Sequence, residues 1–599
     1  MRICIVGFLV NIVLTAGFGQ GNSPRLKCTE YENWVLTHQL VPAGPIPAVF
    51  DPNGVYPYVS YSETANRPVP QKYRYITLEN EQIKVTLCPD LGGKVTSMIY
   101  KPSGREVLYV PDVIRPTRIL PRFYFVAGGI EVNFPISHSP VQNDKVMYQI
   151  EKTDGRIYIT CGERELRFGM QWSVEYSLGP DENFLTERVV FYNPGTKGYP
   201  WMSWSNAALP AGPDTEFDFP DGKVLSHASE MDTMDWKKEG PVCEADIKEM
   251  TGFFWITHNT NAFGVFTPSL GTGLYHVADE RISPGMKLWS YGSGEDSTWS
   301  TLSTASHTPY VEMQGGPIRD QSIKLELQPK EIHAHTEYWI PVDRVMNIQT
   351  LKVPPVTLRP LSAVPLFSWA RPDEVKVWND LQKAYLEKDS VPDPPQIQRN
   401  CWAPSGMEGL GPVFEWAIEN SHADKFDIWK FYYGTWTAGC GDSANAIRIL
   451  SQTSTGIARA VLARLLRLRG DNRGAVQAYN SIEERWLQLH PQVVVERDKA
   501  LRNIGKEKLK ERKAWLDQVD ALQDEWVLER KVQLLIDMGE IIQAKTLLLS
   551  IPFQKVHQTY TRTNLWFQIC DLLKEPRLPI PEQLGEDRLA NFGAYREFE

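Results

Sequence analysis

Glu131 lies in the run Gly128-Gly129-Ile130-Glu131-Val132-Asn133-Phe134-Pro135, and Glu312 in Tyr310-Val311-Glu312-Met313-Gln314-Gly315-Gly316. Each is an acid set between apolar neighbours on a short, strand-like stretch. Side chains alternate faces along a strand, so Glu131 and Asn133 share one face while Ile130, Val132 and Phe134 take the other. A carboxylate on such a strand is costly to bury unless it is paired or does chemistry. Two carboxylates flanking a sugar linkage are what glycoside hydrolysis needs. One protonates the leaving oxygen, and the other activates water or attacks the anomeric carbon. Three stretches supply further groups. AGGIEVNFPISH adds Asn133 and His138, WMSWSNAALPAGPD adds Trp201, Trp204 and Asn206, and HVADERISPGMKLWSYGSGEDSTWS adds His276, Lys287, Trp289 and Trp299. Amides and imidazoles fix hydroxyls, indole faces stack on sugar rings, and a lysine helps the second carboxylate stay ionised. Each group also has a plainer reading: tryptophans in a core, Glu131 and Asn133 on a water-facing edge, Glu312 in a buried ion pair with Arg319.

These groups need a scaffold, and the hydrophobic pattern supplies one. From Tyr73 the chain alternates as strands do, in YRYITLEN, QIKVTLCP, KVTSMIYK, RIYITC, MQWSVEYSL, FLTERVVFYNP, FFWITH, AFGVFTP, YVEMQGG, IKLELQP and TEYWIPV. Turns rich in Gly, Pro, Asn and Asp separate these runs, which predicts a sandwich of two large antiparallel sheets over residues 25–345. Residues 346–372 hold Pro354, Pro355, Pro360, Pro365 and Pro372 and predict a linker packed over the sandwich. Helical periodicity then takes over from 373 to 599. Gly441-Asp442 with Ala446, Gly470-Asp471 with Ala475 and Gly539-Glu540 with Ala544 repeat one pattern, and Gly505 keeps the spacing without the alanine. The intervals from Gly470 to Gly505 and from Gly505 to Gly539, 35 and 34 residues, are those of tetratricopeptide repeats. There Gly closes one helix and a small residue lets its neighbour approach.

Composition bounds the function. A formal net charge of -10 argues against a nucleic-acid partner. The basic stretch Arg459 to Arg473 reads as a solvated helix face, and Arg469-Gly470-Asp471 as a helix turn rather than an adhesion signal. Residues 1–20 read as a signal peptide, with Arg2, an apolar run from Ile3 to Ala16 and small residues after it, so the mature chain is expected to be secreted or periplasmic. No later segment has the roughly 20 apolar residues of a membrane helix. The seven cysteines beyond the leader form no readable disulfide framework or metal motif, and neither cofactor nor metal is expected.

The segments PDLGGKVTSMIYKPSGREVLY, GGIEVNFP, SWSNAALP, HVADERISPGMKLWSYG and PYVEMQGG resemble a domain family of unassigned function in the galactose mutarotase-like superfamily. LLRLRGD, LHPQVVVERDKAL and LLIDMGEIIQAKTLL look like the tetratricopeptide-like part that commonly follows it. The resemblance implies a β-supersandwich whose concave face binds carbohydrate, followed by an all-α repeat domain open to a protein partner. Of two histidines that members often carry after the first motif, His138 is present here. The expected function is a glycan-binding hydrolase or lyase with Glu131 and Glu312 catalytic. The alternatives are a non-catalytic sugar-binding or scaffold protein, and an aldose epimerase.

Overall fold

A computed structural model describes residues 25–584, apart from 43–45, 48–55, 60, 121–122, 137, 154, 228–230, 294–307, 398–401, 520–523, 554 and 558–560. The leader expected at 1–20 and Trp299 lie outside the described residues.

Two antiparallel sheets dominate the first half. The larger has 12 strands, running in space from the edge strand Lys27–Thr37 through Val69–Glu79, Ile83–Cys88 and Lys94–Tyr100 to its centre. There Ile130–Val132, Ser205–Pro210, Tyr310–Gly316, Gly285–Ser290 and Thr251–Trp255 lie side by side, before Lys223–His227 and Met231–Asp235 close the far edge. The second sheet has eight strands, with Leu185–Tyr192, Ile332–Val342 and Thr272–Ala278 at its middle. The sheets pack face to face through the apolar half of each alternating pattern. Ile130, Val132, Ala207, Leu209, Val311, Met313, Leu288 and Trp255 from the larger sheet share one core with Val174, Tyr176, Val189, Phe191 and Trp339 from the smaller. Burying each large side chain contributes about 1.5–3 kcal/mol. The fold is thus the expected β-supersandwich, followed by helices.

The first long helix is Pro372–Glu387, and helix pairs continue to Thr561–Leu573. At the repeat turns Gly441, Gly470 and Gly539 adopt φ of 92°, 86° and 82°, where only glycine is unstrained, while nothing crowds the space a Cβ would fill. Asp442 and Asp471 then cap the next helix by accepting from the backbone N–H of Asn445 and Gly474. Ala446, Ala475 and Ala544 are completely buried where the paired helices meet.

The array is not a separate body. One hydrophobic core runs from the sandwich through Trp369, Trp378 and Phe414 into the helices. The linker lies along the smaller sheet, where Ser173 Oγ donates to the Pro365 carbonyl at 2.6 Å and Arg359 donates to Glu175 at 2.7 Å. Gly406 N donates to Leu166 O at 3.0 Å, and Tyr56 Oη to Ala403 O at 2.9 Å. The basic stretch corrects one expectation. Arg464 is buried rather than solvated, donating to both oxygens of Glu496 and to the Pro47 carbonyl at 3.1 Å. Its spacing marked a helix face, but not that the N-terminal segment covers it.

Candidate functional site

Strand register builds the site. Glu131 stands opposite Asn206, Asn206 opposite Gln314, Gln314 opposite Lys287, and Lys287 opposite Phe254, a rung across five adjacent strands. The next rung on the same face carries Ala208, Glu312, Trp289 and Gly252. Because the intervening residues are the apolar core set, both rungs face away from the sandwich interior. Glu131 and Glu312 lie two strands and one rung apart, so strand spacing and rise put their Cα atoms about 12 Å apart. The face of Gly252 is filled by the Trp289 ring, whose Cε3 would be 2.5 Å from any added Cβ.

Glu131 is anchored from below and from the side. Gly129, at φ 72°, lets its strand press against Lys94–Tyr100, since a Cβ there would lie 2.0 Å from the Val95 carbonyl oxygen. The Lys94 ammonium sits 3.2 Å from Glu131 Oε2 and donates to the carbonyl of Gly128 at 2.7 Å. His138 Nδ1 lies 3.5 Å from Glu131 Oε1, and Gln142 Nε2 donates to Glu131 Oε1 and to Asn133 Oδ1, both at 3.1 Å. Burial pushes the Glu131 carboxyl upward, but Lys94 and His138 outweigh it and hold the group below the usual carboxylate range.

Glu312 goes the other way. Tyr291 Oη donates to its Oε1 at 2.8 Å, and Asn206 Nδ2 and Gln314 Nε2 donate to its Oε2 at 2.9 and 3.2 Å. Burial and the negative charge of Glu131 nevertheless raise its pKa above the usual range. Two carboxyls on one face are therefore biased toward opposite protonation states, the arrangement that separates an acid from a base. Lys287 completes the face. Its ammonium lies 4.7 Å from the Phe254 ring centre, 4.8 Å from Trp289 and 5.8 Å from Trp204. Burial lowers its pKa to about 8, with Glu312 opposing.

The structure thus brings together Glu131, Asn133, His138, Trp204, Asn206, Lys287, Trp289 and Glu312. Trp204 joins through His138, whose ring meets it edge-on at 5.7 Å. Two residues of the expected set go elsewhere. His276 faces the inter-sheet core, where its Nε2 is 3.5 Å from Glu337 Oε2 and only 2.6 Å from where a Cβ on Gly315 would stand. Its parity with the buried Leu274 on Thr272–Ala278 explains this, because both side chains point to one face. Trp201 is core as well, packed on Phe191 and His333 at 5.1 and 4.7 Å. Arg319 does not pair with Glu312, and donates instead to the Ile256 carbonyl at 2.7 Å. Sequence reading missed Lys94, Gln142, Tyr291 and Gln314. Gln314 and Tyr291 each stand two residues beyond a chosen residue, Glu312 and Trp289, and period-two parity finds them. Lys94 and Gln142 arrive from other segments and carry no local signal.

Several buried polar atoms on this face have no protein partner among the described residues: Gln142 Oε1, Asn206 Oδ1 and Trp204 Nε1. Among the same residues no cluster of three or more His, Cys, Asp or Glu could hold a metal ion.

Fold and site define a two-sheet β domain with a polar, aromatic-walled face, joined to tetratricopeptide-like helices. The chain belongs to the family of a TPR-domain containing protein from Parabacteroides distasonis ATCC 8503, with which it shares 59% identity over 96% of this chain and 100% of that one, at a TM-score of 0.89. The family model described as a domain of unknown function, DUF5107, matches residues 50–342, and a C-terminal domain model matches 378–569. The sandwich is also similar to a galactose mutarotase-like protein from Clostridium acetobutylicum, at 13% identity over 45% of this chain and 95% of that one, with a TM-score of 0.34. A protein from Synechocystis sp. PCC 6803 matches at 14% identity over 47% of this chain and 98% of that one, also at 0.34. No helix among the described residues is long and apolar enough to cross a membrane.

Proposed function

We propose that the β domain binds a glycan on this face and cleaves it with Glu312 as general acid and Glu131 as the ionised partner. The observation that carries the reading is the pair itself: two buried carboxyls on one sheet face, two strands apart, with Asn206 between them and Trp204 and Trp289 beside them. Glu312 gives its proton to the glycosidic oxygen as the bond to the anomeric carbon breaks. Glu131 takes a proton from the attacking water or itself attacks that carbon. Asn206 Oδ1 and Gln142 Oε1 accept from sugar hydroxyls, and the indole faces stack on the ring. The helical array supports the sandwich, with which it shares a core, and leaves its outer surface for a protein partner. Export of the mature chain belongs to the same reading, since a polysaccharide substrate lies outside the cell. N-terminal sequencing of the protein recovered from producing cells is expected to find residues 1–20 removed.

Replacing Glu131 or Glu312 by Gln keeps shape and removes the titratable proton. Turnover of a bound glycan is expected to fall about 100-fold or more in each variant, with affinity retained. Unchanged turnover in both excludes the paired mechanism, and binding without any turnover by the native chain favours a sugar-binding protein.

A further inference from the structure

The partners missing from this face are sorted by kind. Toward Glu131 the unpartnered atoms are acceptors, Asn206 Oδ1 and Gln142 Oε1. Beside them stand donors, the unpartnered Trp204 indole N–H and the Lys287 ammonium 5.8 Å from that ring's centre. Lys287 is 9% exposed and makes no hydrogen bond or ion pair with any described residue. Ring faces offset part of the cost of burying its charge, but they accept none of its three N–H groups. The same side holds Trp204, Gln314, Ile318, Arg319 and Asp320 around a small depression. Arg319 is exposed and Asp320 already accepts from Ser322, so the rim adds no net charge that could serve Lys287.

From this polarity we infer that the glycan is acidic, a sugar whose carboxylate seats against Lys287 and Trp204 Nε1 while its hydroxyls donate to Asn206 and Gln142. A carboxylate is acceptor-only and carries the charge that Lys287 lacks, whereas a hydroxyl brings a donor to a place already supplied with donors. The buried His276 and His335 lie beside Glu337 between the sheets, sealed in the core, and offer no room for a ligand. The inference rests on the sugar-binding reading of the face and narrows it to uronic acids.

The test uses the full-length chain, oligogalacturonate and oligoglucuronate fragments, and the carboxyl-reduced neutral counterpart of each. Calorimetric titration is expected to show at least one acidic fragment binding about tenfold or more tighter than its reduced counterpart, with Lys287→Met erasing that preference. A circular dichroism melt of the variant checks its folding, and the comparison of fragments on the native chain stands without it. Equal affinity for acidic and reduced forms, or a preference that survives in a folded Lys287→Met, overturns the inference while leaving the sugar face intact. Absence of binding to every fragment and to neutral glycans overturns both.

Discussion

In the helical array Asp498 is fully buried between two arginines, accepting from Arg512 Nε at 2.8 Å and Arg530 Nε at 2.7 Å, and Arg562 donates to Glu529 at 3.0 Å. Burial pushes the Glu496 carboxyl up, yet Arg464 and Arg467 bring it down to about 2. On the sheet face Lys287, 9% exposed, lies over three aromatic rings, makes no hydrogen bond with any described residue and feels the charge of Glu312. The array neutralises its buried charge internally, as a structural element must to stay folded. The sheet face leaves cation, amide oxygens and indole N–H for something else to satisfy. The difference separates the two regions: the array sets its buried acids against arginines, while the sheet face keeps Asn206 Oδ1, Gln142 Oε1 and Trp204 Nε1 without protein partners among the described residues, which is why the glycan is proposed to bind there.

The comparison can be broken first at the largest scale. A chain ending at residue 345 exposes the apolar seam beneath Trp369, Trp378 and Phe414. It is expected to be insoluble or to melt about 10 °C or more below the full chain by calorimetry. A stable fragment would show that the array is a partner-binding appendage. Within the array, Asp498→Ala leaves Arg530 without its carboxylate and Arg512 with Asp537 alone, and is expected to cost about 3–5 kcal/mol in chemical denaturation. A loss under about 1 kcal/mol would mean that these charges are not relying on one another.

Lys287→Met is expected to behave in the opposite way, leaving stability at neutral pH unchanged or higher. The sign follows from linkage. The folded ammonium titrates at about 8 against an ordinary 10.5, so between those values the unfolded chain binds more protons and stability rises with pH. Denaturation curves across that window are expected to show this rise in the native chain and its loss in the variant. An identical pH dependence in both would mean that Lys287 is paired after all.

How far the sequence reached depends on distance along the chain. Alternation in Tyr310–Gly316 and Ile130–Val132 placed Glu312, Glu131 and Asn133 on their faces, and glycine spacing placed the helix turns at Gly441, Gly470 and Gly539, because both signals are local. His276 is polar enough to suggest a site, but its parity with Leu274 puts it in the core. Trp201 packs in the core, and a tryptophan in a core and one on a sugar face look alike in sequence. Lys94 and Gln142 reach Glu131 from separate segments, and Arg464 meets Pro47 across 417 residues, so only the fold reveals them.

If Glu131 and Glu312 work in opposite protonation states, the pH dependence of kcat/KM on a bound glycan carries both groups in one profile. A bell is expected, its acid limb below the ordinary glutamate range from Glu131 and its alkaline limb above that range from Glu312. Glu312→Gln is expected to remove the alkaline limb from whatever turnover remains. An alkaline limb that persists in Glu312→Gln, or a native chain that binds glycan and never turns it over, contradicts the account.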